Sequence, residues 1–340
     1  AAEFERSLSL EADRLELNNL IGEVRVEGGD GDEFEIVVQV RGADASEDLI
    51  EIVTDEGRHA RVSVRFPVDE HRDYVYPPLG RQSTTTFTLN KNDGDGSWLD
   101  DVLGAFKGKR VTVRGHGKGL EVWADVTVRV PAGRKTEIRH KVGALQADSV
   151  RGELVLDTAS GSIVVKKCRG DILADTGSGA VEAFELEGSF TADTGSGSVS
   201  IEGFQGDELV ADTGSGHVDI SDAACDNLYV DTGSGGVEAE RISAERAKID
   251  TGSGGVSLQL DRMGKGRFLL DTGSGSVELV LPQDASAHVI ADTGSGSIHV
   301  AVEEVDYRLK ERDEVEFVVG GGAARVVVDT GSGSIRIRQS

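Results

Sequence analysis

The residues that look most like chemistry are nine aspartates, each opening a short polar turn: Asp157, Asp175, Asp193, Asp212, Asp231, Asp250, Asp271, Asp292 and Asp329. Eight begin an intact D-T-G-S-G and the first begins D-T-A-S-G. D-T-G-[ST] is the environment of the aspartates in aspartic proteases. There, two such loops face each other so that two carboxyls share one proton. Nine copies at short, regular steps form a line and give no facing pair, so protease chemistry is excluded. A line of carboxylates could instead take calcium, which makes Asp193, Asp212 and Asp231 candidate ligands. Asp93-Gly94-Asp95-Gly96-Ser97 also resembles the opening of a calcium loop. Counted from Asp93, however, the twelfth position is Gly104 and not the bidentate Glu such a loop uses. Asp93 and Asp95 are kept as further calcium candidates, and no other cofactor is implied.

The remaining reactive side chains are scattered. The seven histidines, His59, His71, His116, His140, His217, His288 and His299, form no H-E-x-x-H and no Cys–His zinc spacing. Gly115-His116-Gly117-Lys118-Gly119 lacks the G-K-[ST] of a phosphate loop. Cys168 and Cys225 stand 57 residues apart. In stacked coils that is three layers, or ~14 Å, beyond the ~7 Å reach of a disulfide. They are expected as buried free thiols. No catalytic residue is assigned, and the chain is expected not to be an enzyme.

With 61 acidic against 36 basic residues the formal charge is -25. This argues against a nucleic-acid backbone or an anionic membrane surface as partner. No apolar run reaches the ~20 residues of a membrane span. The chain starts Ala1-Ala2-Glu3 without Met, which fits removal of an upstream signal segment, so export is expected.

What must position the aspartates is a repeat. The steps between them are 18, 18, 19, 19, 19, 21, 21 and 37 residues. Three and one residues before each Asp, and six and eight after it, the side chain is apolar. In the third repeat these are Phe190, Ala192, Val199 and Ile201. The alternation predicts a short strand, a glycine turn and a second short strand, each with one buried face. That is one coil of an all-β, single-stranded parallel β-helix (a β-solenoid), expected to be right-handed with coils of 18–21 residues. An antiparallel sandwich of hairpins ranks below it, because hairpins do not require near-identical residues at one phase of every unit. The turn is assigned to Asp157, Asp175, Asp193, Asp212, Asp231, Asp250, Asp271, Asp292 and Asp329, with Gly179, Gly197, Gly216, Gly235, Gly254, Gly275, Gly296 and Gly333 closing it. The closing glycine is expected to take positive φ or to avoid a clash with the next coil. The Asp, Thr and Ser side chains are expected to accept bonds from turn amides. Carboxylates stacked at ~4.8 Å repel by roughly 0.9 kcal/mol per neighbouring pair even in bulk water. The 37-residue step predicts a rung that has lost its motif near residues 305–320.

Upstream, Thr136, Ile138, Gly143, Leu145 and Ala147 keep the phase around Arg139, and Leu15, Leu17, Gly22, Val24 and Val26 keep it around Asn18. Residues 136–340 are therefore the regular β-helix. Residues 1–135 are a degenerate coil or capping region with an insertion at 71–104, expected to be a cap or a binding surface.

Runs of D-T-x-S-G-[SDG]-[VI]-x-V over residues 136–340, with the leader Asn18–Val26, resemble the DUF4097-type β-repeat proteins. These are an adhesin-like bacterial family related to the head domain of candidate autotransporter adhesins. The resemblance implies a β-helix that is secreted, periplasmic or at the cell surface, without established catalysis or cofactor. The function expected is a non-catalytic structural or adhesin-like scaffold, in contact with a protein or glycan at a surface, or with itself as a homo-oligomer or end-to-end assembly. The alternatives are a polysaccharide-binding or polysaccharide-degrading β-helix and a calcium-stabilised filament subunit.

Overall fold

The computed structural model describes residues 3–89 and 109–340, so Asp93 and Asp95 lie outside the described residues. Among those described, the chain is strands and turns with one 3-10 turn, Pro77–Leu79. No described helix is long and apolar enough to cross a membrane. Two compact units are present. One comprises residues 1–170 with 175–177, the other residues 171–174 with 178–340.

In the second unit each regular coil is one long bent strand and one tight turn, in place of the two short strands expected. The strands Val181–Thr194, Val199–Thr213, Val218–Thr232 and Val237–Thr251 run parallel. Val181 pairs with Val199, Val199 with Val218, Val218 with Val237 and Val237 with Val256. Valines thus stack on valines, and all five are buried. Each strand bends at one residue in the left-handed region, ten past the ladder aspartate: Glu185 (φ 54), Gly203 (φ 76), Asp222 (φ 56) and Arg241 (φ 54). The bend resets the alternation. Buried Ala183 is followed by buried Leu186, and Ile220 by Ala223, three apart and not two.

The end of this unit departs from sequence order. No motif-less rung fills residues 305–320. Instead Val305–Lys310 and Glu314–Val319 form an antiparallel hairpin, and Glu314–Val319 lies antiparallel against Ala287–Thr293. The chain then turns back. Strand Ala324–Thr330 enters between Arg267–Thr272 and Ala287–Thr293, pairing parallel with both, so the aspartates stack in the order Asp271, Asp329, Asp292. Ile335–Gln339 enters in the same way between Val277–Leu281 and Ile298–Ala301. The long step is a hairpin cap plus a returning coil.

The first unit uses the same frame. Arg14–Ile21 lies parallel to Arg134–Val142, which lies parallel to Gly152–Ser160, and the slots align as Asn18, Arg139, Asp157. Val24–Gly29 runs between Leu145–Asp148 and Trp123–Pro131, parallel to both. Beyond Trp123–Pro131 pairing turns antiparallel, to Phe34–Arg41 and then Phe4–Leu10. A separate three-stranded sheet, Asp73–Val75, Lys109–Arg114 and Thr84–Leu89, holds the described part of the 71–104 insertion. It is anchored by aromatic edges, Phe66 on Tyr74 and Tyr76 on Trp123, with ring centroids 5.9 and 5.8 Å apart.

Candidate functional site

The turn is built around its threonine, which lies in the core while the aspartate faces outward. Thr194, Thr213, Thr232, Thr251, Thr272, Thr293 and Thr330 are at most 1% exposed. A buried hydroxyl requires partners, and each has two. Thr232 Oγ1 donates to the Gly216 carbonyl of the neighbouring coil at 3.1 Å, and accepts the N–H of Gly235, in its own turn, at 3.1 Å. Thr213 does the same with Gly197 at 2.8 Å and Gly216 at 3.0 Å. Thr330 links to Gly275 and Gly333, and Thr293 to Gly333 and Gly296. The closing glycine is required by proximity. A Cβ on Gly197, Gly216, Gly235, Gly254, Gly275, Gly296 or Gly333 would overlap the carbonyl oxygen of the equivalent glycine one coil away.

The first unit fills the threonine slot with other chemistry. Thr176 keeps the bond, to Gly161 O at 2.9 Å. One slot holds His140, in register with Thr158 on one side and Asn19 on the other. Its Nε2 lies 2.9 Å from Gly22 O and its Nδ1 3.2 Å from Asn19 O. Burial drives its pKa down to about 4, against the opposing pull of those carbonyls. Asn19 donates from Nδ2 to Ala124 O at 2.8 Å. Nothing in the residue types marked His140 as a turn clamp; the one signal that could have found it is its phase, one past Arg139.

The outward aspartates form a column. Asp193, Asp212, Asp231 and Asp250 are paired in register, and Asp250, Asp271, Asp329 and Asp292 continue it. Burial first, and the neighbouring aspartate second, raise the carboxyls of Asp212 and Asp271 above the usual carboxylate range. Asp231 and Asp329 are raised by the same causes. In the first unit burial raises Asp157 and Asp175. No two of these carboxyls meet across a cleft, as a protease would need. Among the described residues no group of three or more His, Cys, Asp or Glu converges on a point that could hold a metal ion.

Two other arrangements were not legible in the motifs. A shallow groove of about 610 Å³ runs along the outer face of the strands that follow the turns, lined by His217, Asp219, Glu238, Glu278 and His299 over Gly236 and Gly255. His217 is fixed there, its Nδ1 accepting the Gly236 N–H at 3.1 Å. In the first unit an ion cluster is largely buried. Glu16 meets Arg61 Nε at 3.2 Å, Arg139 Nε meets Glu137 at 2.7 Å, Arg14 pairs with Glu137, and Asn18 Nδ2 reaches Glu16 at 3.2 Å and Ser63 at 3.3 Å. These carboxylates are held by guanidinium groups and amides, which suits a structural lock better than proton transfer. The inserted sheet touches a turn directly, Thr85 Oγ1 standing 3.2 Å from Ser160 Oγ. Cys168 and Cys225 are free and buried, and burial raises their thiols to about 11 and about 12.

The sequence model of the Toastrack DUF4097 family matches residues 107–338. No curated protein matches the chain at a significant level. Solved structures similar to it include a candidate cell adhesion protein from Clostridium sporogenes, 11% identical over 100% of both chains with a TM-score of 0.22. A candidate lipid-binding protein from Parabacteroides distasonis is 13% identical over 98% of this chain and 96% of its own, with a TM-score of 0.40. A candidate adhesin from Bacteroides fragilis is 12% identical over 99% and 97%, with a TM-score of 0.32. At such scores these similarities bear on neither mechanism nor ligand.

Proposed function

The chain belongs to the Toastrack DUF4097 family, whose model spans well over half of it, and from that premise we propose that it is an exported, non-catalytic β-solenoid scaffold for multivalent surface contacts. The observation that carries this is the in-register stacking of outward side chains. On the strands after the turns, Ser200, Asp219 and Glu238 stand side by side, one per coil. Such a face offers one weak contact per coil, and contacts repeated along one rigid body add as avidity. The recurring polar chemistry of the turns is spent on stacking: the threonines hold glycine carbonyls, and neighbouring aspartates raise one another's carboxyls. The coils are taken as right-handed with 18–21 residues each, following the general preference of parallel crossovers. The partner is a protein or glycan at a surface, and the location is secreted, periplasmic or cell-surface.

The test is a glycan array and a surface pull-down with the whole chain, alongside turnover assays on polysaccharides. Binding weakened by substitutions along an outer face, such as Asp219→Ala with Glu238→Ala, and no product release, is the expected result. Hydrolysis or elimination of any glycan would overturn it.

A further inference from the structure

The returning C-terminal coil assembles a surface that is dispersed in the sequence. Four residues before Asp250, Asp271, Asp329 and Asp292, the outward position holds Arg246, Arg267, Arg325 and His288, on four adjacent strands. The register fixes this. Ala247 pairs with Phe268, so the arginines preceding them are neighbours; Arg267 pairs with Arg325, and Arg325 with His288. Arg325 reaches this place only because its strand enters between the other two. Arg246, Arg267 and Arg325 are all exposed.

Like charges opposite one another on neighbouring strands are destabilising, and no carboxylate among the described residues pairs with the three arginines. Arg246 Nη1 bonds the neutral Asn227 Oδ1 at 3.1 Å, and His288 Nε2 meets Glu316 at 2.7 Å. The Arg267 and Arg325 guanidinium groups have no hydrogen-bond or ion-pair partner among the described residues. Elsewhere in the same unit some outward arginines are matched to acids, as Arg241 is to Asp222 and Arg338 to Glu278. Two residues along each strand runs a parallel row: Tyr229, Lys248, Leu269, Val327 and Ile290, paired in register. Tyr229 is 40% exposed, and Leu269, Val327 and Ile290 are partly so. The aspartate column lies four residues off, ~13 Å along the strand, farther than the ~8 Å screening length at physiological salt. The row therefore acts as a local positive strip on an acidic protein.

We propose that the Arg246–Arg267–Arg325 row is a docking surface for a linear anionic polysaccharide lying along the coil stack, its acidic groups on the guanidinium forks and its sugar rings on Leu269, Val327 and Ile290. Planar guanidinium groups suit carboxylate or sulfate bidentately. Charges repeated along a glycan can meet arginines repeated along the stack, one coil after another. A nucleic-acid duplex or an anionic bilayer presents charge over a face wider than the row, reaching the acidic surface beside it, whereas a single polysaccharide strand need touch only the row. This inference rests on the reading of the coil stack as a binding scaffold, and names its partner.

Affinity electrophoresis of the whole chain through alginate, polygalacturonate or neutral dextran tests it. Retardation is expected in the two acidic polymers and not in dextran, falling as salt rises. Arg267→Ala combined with Arg325→Ala should weaken it at least tenfold, and Arg262→Ala should leave it unchanged. Both arginines are exposed and face each other, so a thermal midpoint no lower than that of the wild type should confirm that the double variant is folded. No retardation of the wild type, or equal retardation of the double variant, overturns the proposal. So does equally tight, arginine-dependent binding of single-stranded DNA or of phosphatidylserine vesicles, which would assign the row to another partner. If the acidic polymers fail while another outer face binds a protein or neutral glycan, only this inference falls. If no outer face binds anything, the scaffold reading falls with it.

Discussion

At the scale of single residues, the turn threonine is the side chain on which stacking most depends. Thr232 serves two backbone groups at once, the Gly216 carbonyl and the Gly235 amide. Thr232→Val keeps the shape and removes both bonds, leaving a buried donor and acceptor at a cost of about 1–3 kcal/mol each. Thr232→Ser should recover most of that loss in urea unfolding. Gly235→Ala should be worse, above about 3 kcal/mol, since its Cβ would meet the Gly216 carbonyl with only backbone to yield. His140 makes a separate, pH-dependent prediction. Its folded pKa, about 4, lies below the unfolded value near 6.5. The unfolded chain therefore binds the proton more readily, and stability falls as pH drops from about 6.5 towards 4, by up to about 3 kcal/mol. His140→Thr, which installs the side chain of the regular repeats, should abolish that part of the acid sensitivity. A wild type and variant with parallel stability–pH curves over this window would contradict it. The two thiols, raised by burial, should be inert to Ellman's reagent in the native state and react fully in denaturant.

At the scale of elements, the two units end alike, each by changing from parallel to antiparallel pairing. In the second unit the cap is Glu314–Val319 with Val305–Lys310, in the first Phe34–Arg41 with Phe4–Leu10. The outermost strands carry Arg308 and Lys310, or Glu5 and Arg6, charges that discourage further strand addition. The returning coil gives this scale its prediction. Deleting residues 323–340 removes the strands between Asp271 and Asp292, so the 287–319 segment loses its parallel partners on that side. Limited proteolysis should then cut within 287–319 at protease levels that leave the full chain intact, and the thermal midpoint should drop by more than about 5 °C. This insertion was beyond sequence reasoning because phase says which residues occupy equivalent positions, not which coil is whose neighbour. Where sequence order and spatial order coincide, as from Asp193 to Asp271, phase alone placed every buried valine. The same logic put Asn18 and Arg139 in the aspartate phase, because Leu15, Leu17, Val24 and Val26 kept the pattern after the motif had gone; that the two are neighbours came from the structure. The left-handed bend was written only as a slip in alternation, Ala183 to Leu186, since Glu185, Asp222 and Arg241 share no side-chain chemistry.

For the whole molecule, the governing quantity is charge. The chain carries -25, and its ladder aspartates order part of that excess into a column of like charges. Asp231 and Asp271 have folded pKa values raised above the unfolded ones, by burial and by neighbouring aspartates. For a carboxyl the sign is then fixed. Its contribution to stability is fullest below the unfolded pKa and is lost as pH rises through the raised folded value, so at neutral pH the ionised column weakens the fold. Asp231→Asn should therefore stabilise the protein at pH 7 and have little effect near pH 3, a difference read from paired thermal melts. Screening should act in the same direction. Raising sodium chloride from about 10 to 300 mM shortens the Debye length from about 30 Å to under 10 Å and should raise the midpoint at pH 7, more for wild type than for Asp231→Asn. Calcium supplies the discriminating comparison. A site needs six to eight oxygens around one ion, whereas the column offers carboxylates spread one per coil. At matched ionic strength calcium chloride should therefore stabilise no more than sodium chloride, and chelator should do nothing. A calcium increment at micromolar concentration, lost in Asp193→Asn, Asp212→Asn or Asp231→Asn, would show that the column binds the ion specifically and would replace repulsion relieved by screening as the account of its energetics.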